Sequence, residues 1–288
     1  MLDRTGYPPG VPCWIDLVQP DHDATAAFYG GLFGWDFEVR TPEGAPFTYA
    51  YARIDGKTVA GVGTPPPGEE SPSGWISYVR VESADQTAAA IEANGGRILT
   101  PPADIPGAGR VAVGADPDGA VFGLWQPAEN RGAELVNAFG AWNFSGLHTA
   151  TPDRAEKFYG PVFGWVFNPF DMGDGQQTGI WRVIGYGDFL AARDPEIRER
   201  QAEDQAPDGF SDAVATMQVD EAGGARAGAH WDITFAVEDA DAAVARAVEL
   251  GATVVTPPFD TTYTRQAVVR DPQGAELGLS QYRPPSAD

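Results

Sequence analysis

The sequence predicts an α+β protein built from four βαβββ units, two in each half of a 288-residue chain. Three observations predict it. Phe28-Tyr29-Gly30-Gly31-Leu32-Phe33-Gly34-Trp35 returns 130 positions later as Phe158-Tyr159-Gly160-Pro161-Val162-Phe163-Gly164-Trp165. Asp116-Pro117-Asp118-Gly119-Ala120 returns 155 positions later as Asp271-Pro272-Gln273-Gly274-Ala275, each time followed by a short apolar run. Within each copy, a strand, a helix and three more strands can be read twice in succession. The difference between the two offsets gives the second copy about 25 additional residues, placed between Trp165 and Asp271.

The elements follow in order. Residues Val11 to Val18 read as a strand and Asp23 to Leu32 as a short helix with Asp21 or Asp23 as N-cap. Three strands separated by Gly and Pro turns then run to Val62, and Pro65-Pro66-Pro67-Gly68-Glu69-Glu70-Ser71-Pro72 is a linker that cannot continue a strand. The second unit has a strand at Trp75 to Val81 and a helix at Ala84 to Asn94 stopped by Gly95-Gly96. Its closing strands are Arg97 to Thr100, Arg110 to Gly114 and Val121 to Gln126. The second copy repeats this from a strand at Trp142 to Thr149 and a helix at Asp153 to Val162 to a strand at Trp231 to Val237 and a helix at Asp239 to Leu250 capped by Gly251. Domains of residues 1–130 and 131–288 result. The excess is assigned to an insertion at about 192–229, with a charged helix over Arg193 to Gln205 and a flexible Gly223-Gly224-Ala225-Arg226-Ala227-Gly228; it reads as a solvated loop, a lid or an arm for a partner subunit.

Composition excludes several function classes. The 41 acidic against 19 basic residues give a formal charge of −22, which disfavours phosphate backbones and anionic membrane surfaces, and no Lys/Arg cluster relieves it locally. Nucleic acid and membrane are not expected partners. The start Met1-Leu2-Asp3-Arg4-Thr5-Gly6-Tyr7 lacks the features of a secretory signal, so a cytoplasmic location is expected. Cys13 is the sole cysteine, which rules out an internal disulfide and a thiolate metal cluster. No dinucleotide-binding glycine motif after a strand, Walker loop or nucleophile elbow is present.

Four βαβββ units with FYG-x-x-FGW after the first helix of each half and DPxGA before each last strand resemble the vicinal oxygen chelate superfamily, which includes glyoxalase I, bleomycin-resistance proteins and extradiol dioxygenases. The resemblance covers nearly the whole chain. It extends to two-domain actinobacterial members labelled glyoxalase/bleomycin resistance/dioxygenase-like or hydroxylase, through Val11-Pro12-Cys13-Trp14-Ile15-Asp16-Leu17, Asp104-Ile105-Pro106-Gly107-Ala108-Gly109-Arg110 and His230-Trp231-Asp232. It implies two tandem glyoxalase-like domains with cupped mixed sheets, packed as a pseudo-symmetric pair. A homodimer of the whole chain is left open.

The resemblance also implies where metal ligands belong: the first strand of each of a domain's two units, and the last strand four residues after the Gly of DPxG. Those places hold Trp14, Ile76 and Gly123 in the first copy and Phe144, Asp232 and Gly278 in the second. One oxygen donor is not a site, so no cofactor is favoured. The alternative is a divalent metal (Fe, Mn, Ni or Zn) held by His148, His230 and Glu276, which share strand faces with those places.

What remains is aromatic. Trp14, Trp75, Trp125, Phe144 and Tyr263 are expected ligand-binding residues with Arg110, since flat side chains bind planar or apolar ligands by stacking and area burial; each serves equally well as plain core. Asp232, His230 and Asp16 are the candidates for proton transfer. Asp16 orients a ligand amine, acts as a base, or is salt-bridged to Arg110. The expected function is binding of an aromatic or apolar metabolite, such as an antibiotic. The alternative is an enzyme: a metal-independent lyase, isomerase or cyclase, or a metal-dependent oxygenase or hydroxylase acting in the second domain.

Overall fold

The computed structural model describes residues 2–41, 43–68, 74–171, 177–204, 206–220 and 228–283. The first half contains β1 (Leu2–Asp3), β2 (Pro12–Val18), α1 (His22–Phe33), β3 (Asp36–Val39), β4 (Tyr49–Ile54), β5 (Lys57–Gly63), β6 (Gly74–Arg80), α2 (Ala84–Ala93), β7 (Arg97–Ile105), β8 (Gly109–Ala115) and β9 (Val121–Pro127). The second contains β10 (Leu135–Val136), β11 (Trp142–Thr149), α3 (Pro152–Phe163), β12 (Val166–Asp171), β13 (Gln177–Arg182), α4 (Tyr186–Ala191), α5 (Ile197–Glu203), a 3₁₀ turn at Phe210–Asp212, β14 (Ala213–Val219), β15 (His230–Ala236), α6 (Ala240–Glu249), β16 (Thr253–Asp260), β17 (Thr264–Arg270) and β18 (Glu276–Tyr282). Two eight-stranded mixed sheets form, ordered β3-β4-β5-β2-β6-β9-β8-β7 and β12-β13-β14-β11-β15-β18-β17-β16, while β1 pairs with β10. In each, the two unit-opening strands lie antiparallel at the centre and each unit's last strand runs parallel to its first.

Local chemistry sets the helix ends. Asp21 caps α1 by accepting from Ala24 N at 3.0 Å. Gly34 and Gly164 end α1 and α3 in the left-handed region, at φ 72° and 73°, which a side chain disfavours there and which turns the chain into the following tryptophan.

The landmarks of the repeat make contacts between the copies. Tyr29 of FYG donates to Asp271 Oδ2 at 2.9 Å, and Tyr159 donates to Asp116 Oδ2 at 3.0 Å. Trp75 and Trp231 donate to those same tyrosine oxygens at 3.2 and 3.0 Å. Trp35 of FGW donates to Gly140 O and Trp165 to Gly10 O, at 2.8 and 2.6 Å. Each bond from FYG or FGW therefore runs to the opposite copy. One apolar layer joins α1 residues Phe28 and Tyr29 to Phe235 of β15 and Val244 of α6; the other joins Ile91 of α2 to Phe158 of α3. α1 packs beside α6 and α2 beside α3, so each sheet's helical side is covered by the other copy.

The insertion differs from expectation. Residues 183–212 stand between β13 and β14, where the first copy has only the Asp55-Gly56 turn between β4 and β5. The expected 192–229 range thus includes a sheet strand, β14, whose alternation of small side chains carries no aromatic landmark. The charged helix is α5, shorter than Arg193 to Gln205. The Gly-rich stretch at 223–227 and the linker from 69 to 72 lie outside the described residues.

Candidate functional site

The concave face of the first sheet is filled. Trp14 and Asp16 share that face, as strand alternation requires. Trp14 Nε1 donates to Asp16 Oδ1 at 2.7 Å and Tyr49 OH donates to the same oxygen at 2.8 Å. Gly61 is opposite Asp16 in the sheet, and a Cβ there would lie 1.9 Å from Asp16 Oδ1, so the glycine is what admits the carboxylate. Burial pushes the Asp16 carboxyl above its ordinary range, against the hydrogen bonds from Tyr49, Trp14 and Tyr78 that hold it down. Trp14, Tyr78 and Trp125 are buried. Trp125 Nε1 donates to Asn130 O at 2.8 Å, and Ala133, Leu135 and Val136 of the connector between the sheets close this core. Asp16 is bonded through Oδ1 to a tryptophan and a tyrosine rather than to Arg110.

The second sheet replaces this packing with smaller and polar groups. Strand register matches Phe144 to Trp14, Gly146 to Asp16, Asp232 to Ile76, Thr234 to Tyr78, Thr178 to Tyr49 and Thr216 to Gly61. His148 and His230 are opposite one another at the end of β11 and β15. His148 Nε2 is 3.3 Å from Asp232 Oδ2 and Nδ1 is 3.2 Å from Asp220 Oδ1, which forms an Asp–His–Asp chain. Burial opposes charge on this ring, but the bond and charge of Asp232, followed by those of Asp220, outweigh it and lift the His148 pKa to about 9. The other Asp232 oxygen, Oδ1, is buried and has no partner. It lies over Gly146, where a Cβ would approach it to 2.4 Å and Thr216 Oγ1 to 2.9 Å. A buried, unbonded carboxylate oxygen costs about 1–3 kcal/mol or more, which a donor on a ligand offsets.

The alternative metal set, His148, His230 and Glu276, does not assemble. The rings of His148 and His230 stack at 4.7 Å with their planes only 6° apart. An imidazole binds a metal in its own plane, and nearly parallel planes offset by stacking share no such point. Both His148 nitrogens face carboxylates, and Glu276 accepts from Arg270 Nη2 at 2.6 Å. Among the described residues no three His, Cys, Asp or Glu side chains group to hold an ion. The residues present do not fit the metal that the fold implies.

Other expected residues lie elsewhere. Trp75 faces the layer between the copies, 5.5 Å from Tyr29 and 5.1 Å from Phe235, because its partner on β2 is Leu17 rather than Trp14. Arg110 turns to the helical side, where it binds Asp85 at 2.9 Å and Asp104 at 2.8 Å. Tyr263 is in the turn between β16 and β17, its carbonyl accepting from Arg283 N. His230 Nδ1 is 3.2 Å from Gly228 O. Phe144 is on the concave face, 6.2 Å from Phe210 of the insertion. It also lines a cavity of about 120 Å³ at the end of β11 away from His148. Asp220 escaped sequence reasoning because it directly follows β14, itself unseen within the assumed insertion.

Comparison with known proteins agrees with this architecture. The model of the glyoxalase/bleomycin resistance protein/dioxygenase superfamily matches residues 13–124, and that of a glyoxalase-like domain matches residues 145–280. The chain is 34% identical to "Putative glyoxylase CFP32" of Mycobacterium tuberculosis, over 99% of both chains. It is 35% identical to the anthracycline biosynthesis protein DnrV of Streptomyces peucetius, over 97% of this chain and 96% of that one. In fold it is similar to the Mn(II)-bound glyoxalase of Novosphingobium aromaticivorans (TM-score 0.55, 14% identity, 97% and 83% covered). It is also similar to the 2,3-dioxygenase LapB of Pseudomonas sp. KL28 (TM-score 0.56, 12% identity, 97% and 96% covered). With two family models side by side and relatives of this identity over their full length, the chain belongs to the glyoxalase/bleomycin resistance protein/dioxygenase superfamily.

Proposed function

We propose that this protein binds an aromatic or apolar small molecule in the concave face of its second sheet, with the first sheet serving as scaffold. The observation that carries the reading is the unpartnered Asp232 Oδ1 over Gly146, set against Asp16 of the first sheet, whose Oδ1 accepts from both Trp14 and Tyr49. The streptomycete relative is named for anthracycline biosynthesis, which supports a planar polycyclic aromatic as ligand class. Such a ring system has apolar area to bury and hydroxyl groups able to donate to Asp232.

A second reading is favoured by the Asp220–His148–Asp232 chain. A carboxylate with one oxygen held by a cationic imidazole and the other without a hydrogen-bond partner has a basic site left for a proton from a bound ligand, and His148, hydrogen-bonded between two carboxylates, holds its orientation. This makes the protein a metal-independent lyase, isomerase or cyclase, with Asp232 as base and His148 as the group that positions it. A divalent-metal reading has no three donors to rest on among the described residues.

The test is titration of a tetracyclic anthraquinone aglycone against wild type, Thr216→Phe and Asp232→Asn, followed by tryptophan fluorescence. Saturable binding lost about tenfold or more in Thr216→Phe, which refills the concave face, supports the binding reading. Equal binding by wild type and Thr216→Phe overturns it. Exchange of ligand C–H for deuterium in D2O, present in wild type and absent in an Asp232→Asn variant that still binds, supports proton transfer.

A further inference from the structure

The cavity beyond Phe144 has a chemistry of its own. It lies between the N-terminal arm, the start of β11 and the insertion, and none of its lining residues belongs to the Asp220–His148–Asp232 chain. Arg4 lines it and is 9% exposed. Its guanidinium carbon is 5.9 Å from the centre of the Tyr7 ring and 5.8 Å from that of Tyr186. The Nε of Arg4 is buried without an acceptor, and no carboxylate pairs with the guanidinium among the described residues. In a chain with 41 acidic residues this is unusual, since a buried guanidinium ordinarily faces Asp or Glu. The arm is not loose at this point: Arg4 N donates to Glu134 O at 2.9 Å, continuing the pairing of β1 with β10.

A second observation points the same way. Trp142 also lines the cavity, is 5% exposed, and its Nε1 is buried with no acceptor. Six of the other seven tryptophans, Trp14, Trp35, Trp75, Trp125, Trp165 and Trp231, donate from their indole nitrogens; Trp181 Nε1 is also buried without an acceptor but does not line the cavity. Thus two of the cavity's lining residues, a cation and an indole, each carry a buried nitrogen without an acceptor, and Tyr7, Phe144, Tyr186 and Phe210 make the remaining lining aromatic in part. We propose that this cavity binds a small aromatic carboxylate, its oxygens paired with the Arg4 guanidinium and the Trp142 indole N–H and its ring between the aromatic walls. The volume of about 120 Å³, open on one side, is of the order that receives a single ring, given that an engineered apolar cavity of about 150 Å³ holds benzene. The site is independent of the one proposed over Asp232.

Benzoate is the probe, titrated calorimetrically into the full chain, with benzamide and benzylamine as neutral and cationic counterparts of the same size. Benzoate is expected to bind below about 1 mM, and benzamide about tenfold more weakly or worse, because only the anion answers a buried guanidinium. Arg4→Gln is expected to lose about tenfold or more, Trp142→Phe roughly threefold to tenfold, and Thr216→Phe nothing. The Trp142 indole proton, followed by NMR in wild type, is expected to move downfield along the same isotherm, which keeps the proposal testable if Arg4→Gln does not fold. Equal affinity for benzamide, undiminished binding by Arg4→Gln, or an unmoved indole resonance at about 10 mM benzoate overturns it.

Discussion

His148 gives this protein a stability that depends on pH, with a sign the structure fixes. Its pKa stands at about 9 in the folded chain, against an ordinary value of 6.5. Between those values the folded state holds a proton that the unfolded state has released. The stabilisation is therefore complete below about pH 6.5 and disappears as pH rises through about 9. At full weight, a shift of this size is about 3.4 kcal/mol. The imidazole is 27% exposed, and Asp220 and Asp232 are 33% and 36% exposed, so solvent screens the pair and about 1.5 kcal/mol is the better expectation. His148→Gln removes the titration while keeping a donor for one carboxylate. Urea unfolding of both proteins at a series of pH values from about 6 to 10 gives a difference that isolates this ring, since the other groups cancel. Wild type should lead by about 1.5 kcal/mol at the acid end and by almost nothing at the alkaline end. A difference constant with pH, or a His148 ring resonance titrating below about 7, would falsify the Asp–His–Asp assignment.

Three other outcomes follow from the contacts described above. Tyr159→Phe removes the donor to Asp116 and orphans the Trp231 indole; a loss of about 2–4 kcal/mol in urea unfolding is expected, with Tyr29→Phe matching it through Asp271 and Trp75, and under about 0.5 kcal/mol would show that the contacts between the copies are incidental. Gly61→Ala drives a methyl into Asp16 and should cost about 1–3 kcal/mol, whereas Gly74→Ala, where a Cβ meets nothing within 4 Å, should stay within about 0.5 kcal/mol; equal effects on the two melting curves would contradict the packing described. Anaerobic loading with Fe(II), Mn(II), Ni(II) or Zn(II), read by elemental analysis, should give no stoichiometric metal that a His148→Ala/His230→Ala double variant loses, because parallel rings do not converge on one ion.

The sequence shows the architecture through the same residues that hold it together. Tyr29, Trp35, Tyr159 and Trp165 are recognisable as a repeat because each meets a fixed partner in the other copy, and Asp116 and Asp271 complete two of those contacts. The face of β2 that carries Trp14 and Asp16 is legible too, since alternation alone decides it. What alternation cannot decide is the parity between neighbouring strands. The pairing of Leu17 with Trp75 turns that tryptophan away from the concave face, and Arg110, which shares a face with Ala112, meets Asp85 of α2. The difference between the two sheets at this place rests on small residues, Gly146 and Thr216 against Asp16 and Gly61, whose meaning appears only when the strands are set side by side. Trp142 is legible as an aromatic beside the cupped sheet, but the unmet donors of Arg4 and Trp142 are not, because an unmet donor is a property of surroundings assembled from distant parts of the chain.

The reciprocal tyrosine contacts have one more consequence. Because FYG and DPxGA occur in both halves, each half offers a tyrosine and a socket for the tyrosine of the other, and Gln19, which also donates to Asp271 Oδ2 at 2.6 Å, sets one socket apart from its counterpart. The chain is in effect an internal heterodimer whose interface keeps the self-complementary form of a two-fold one.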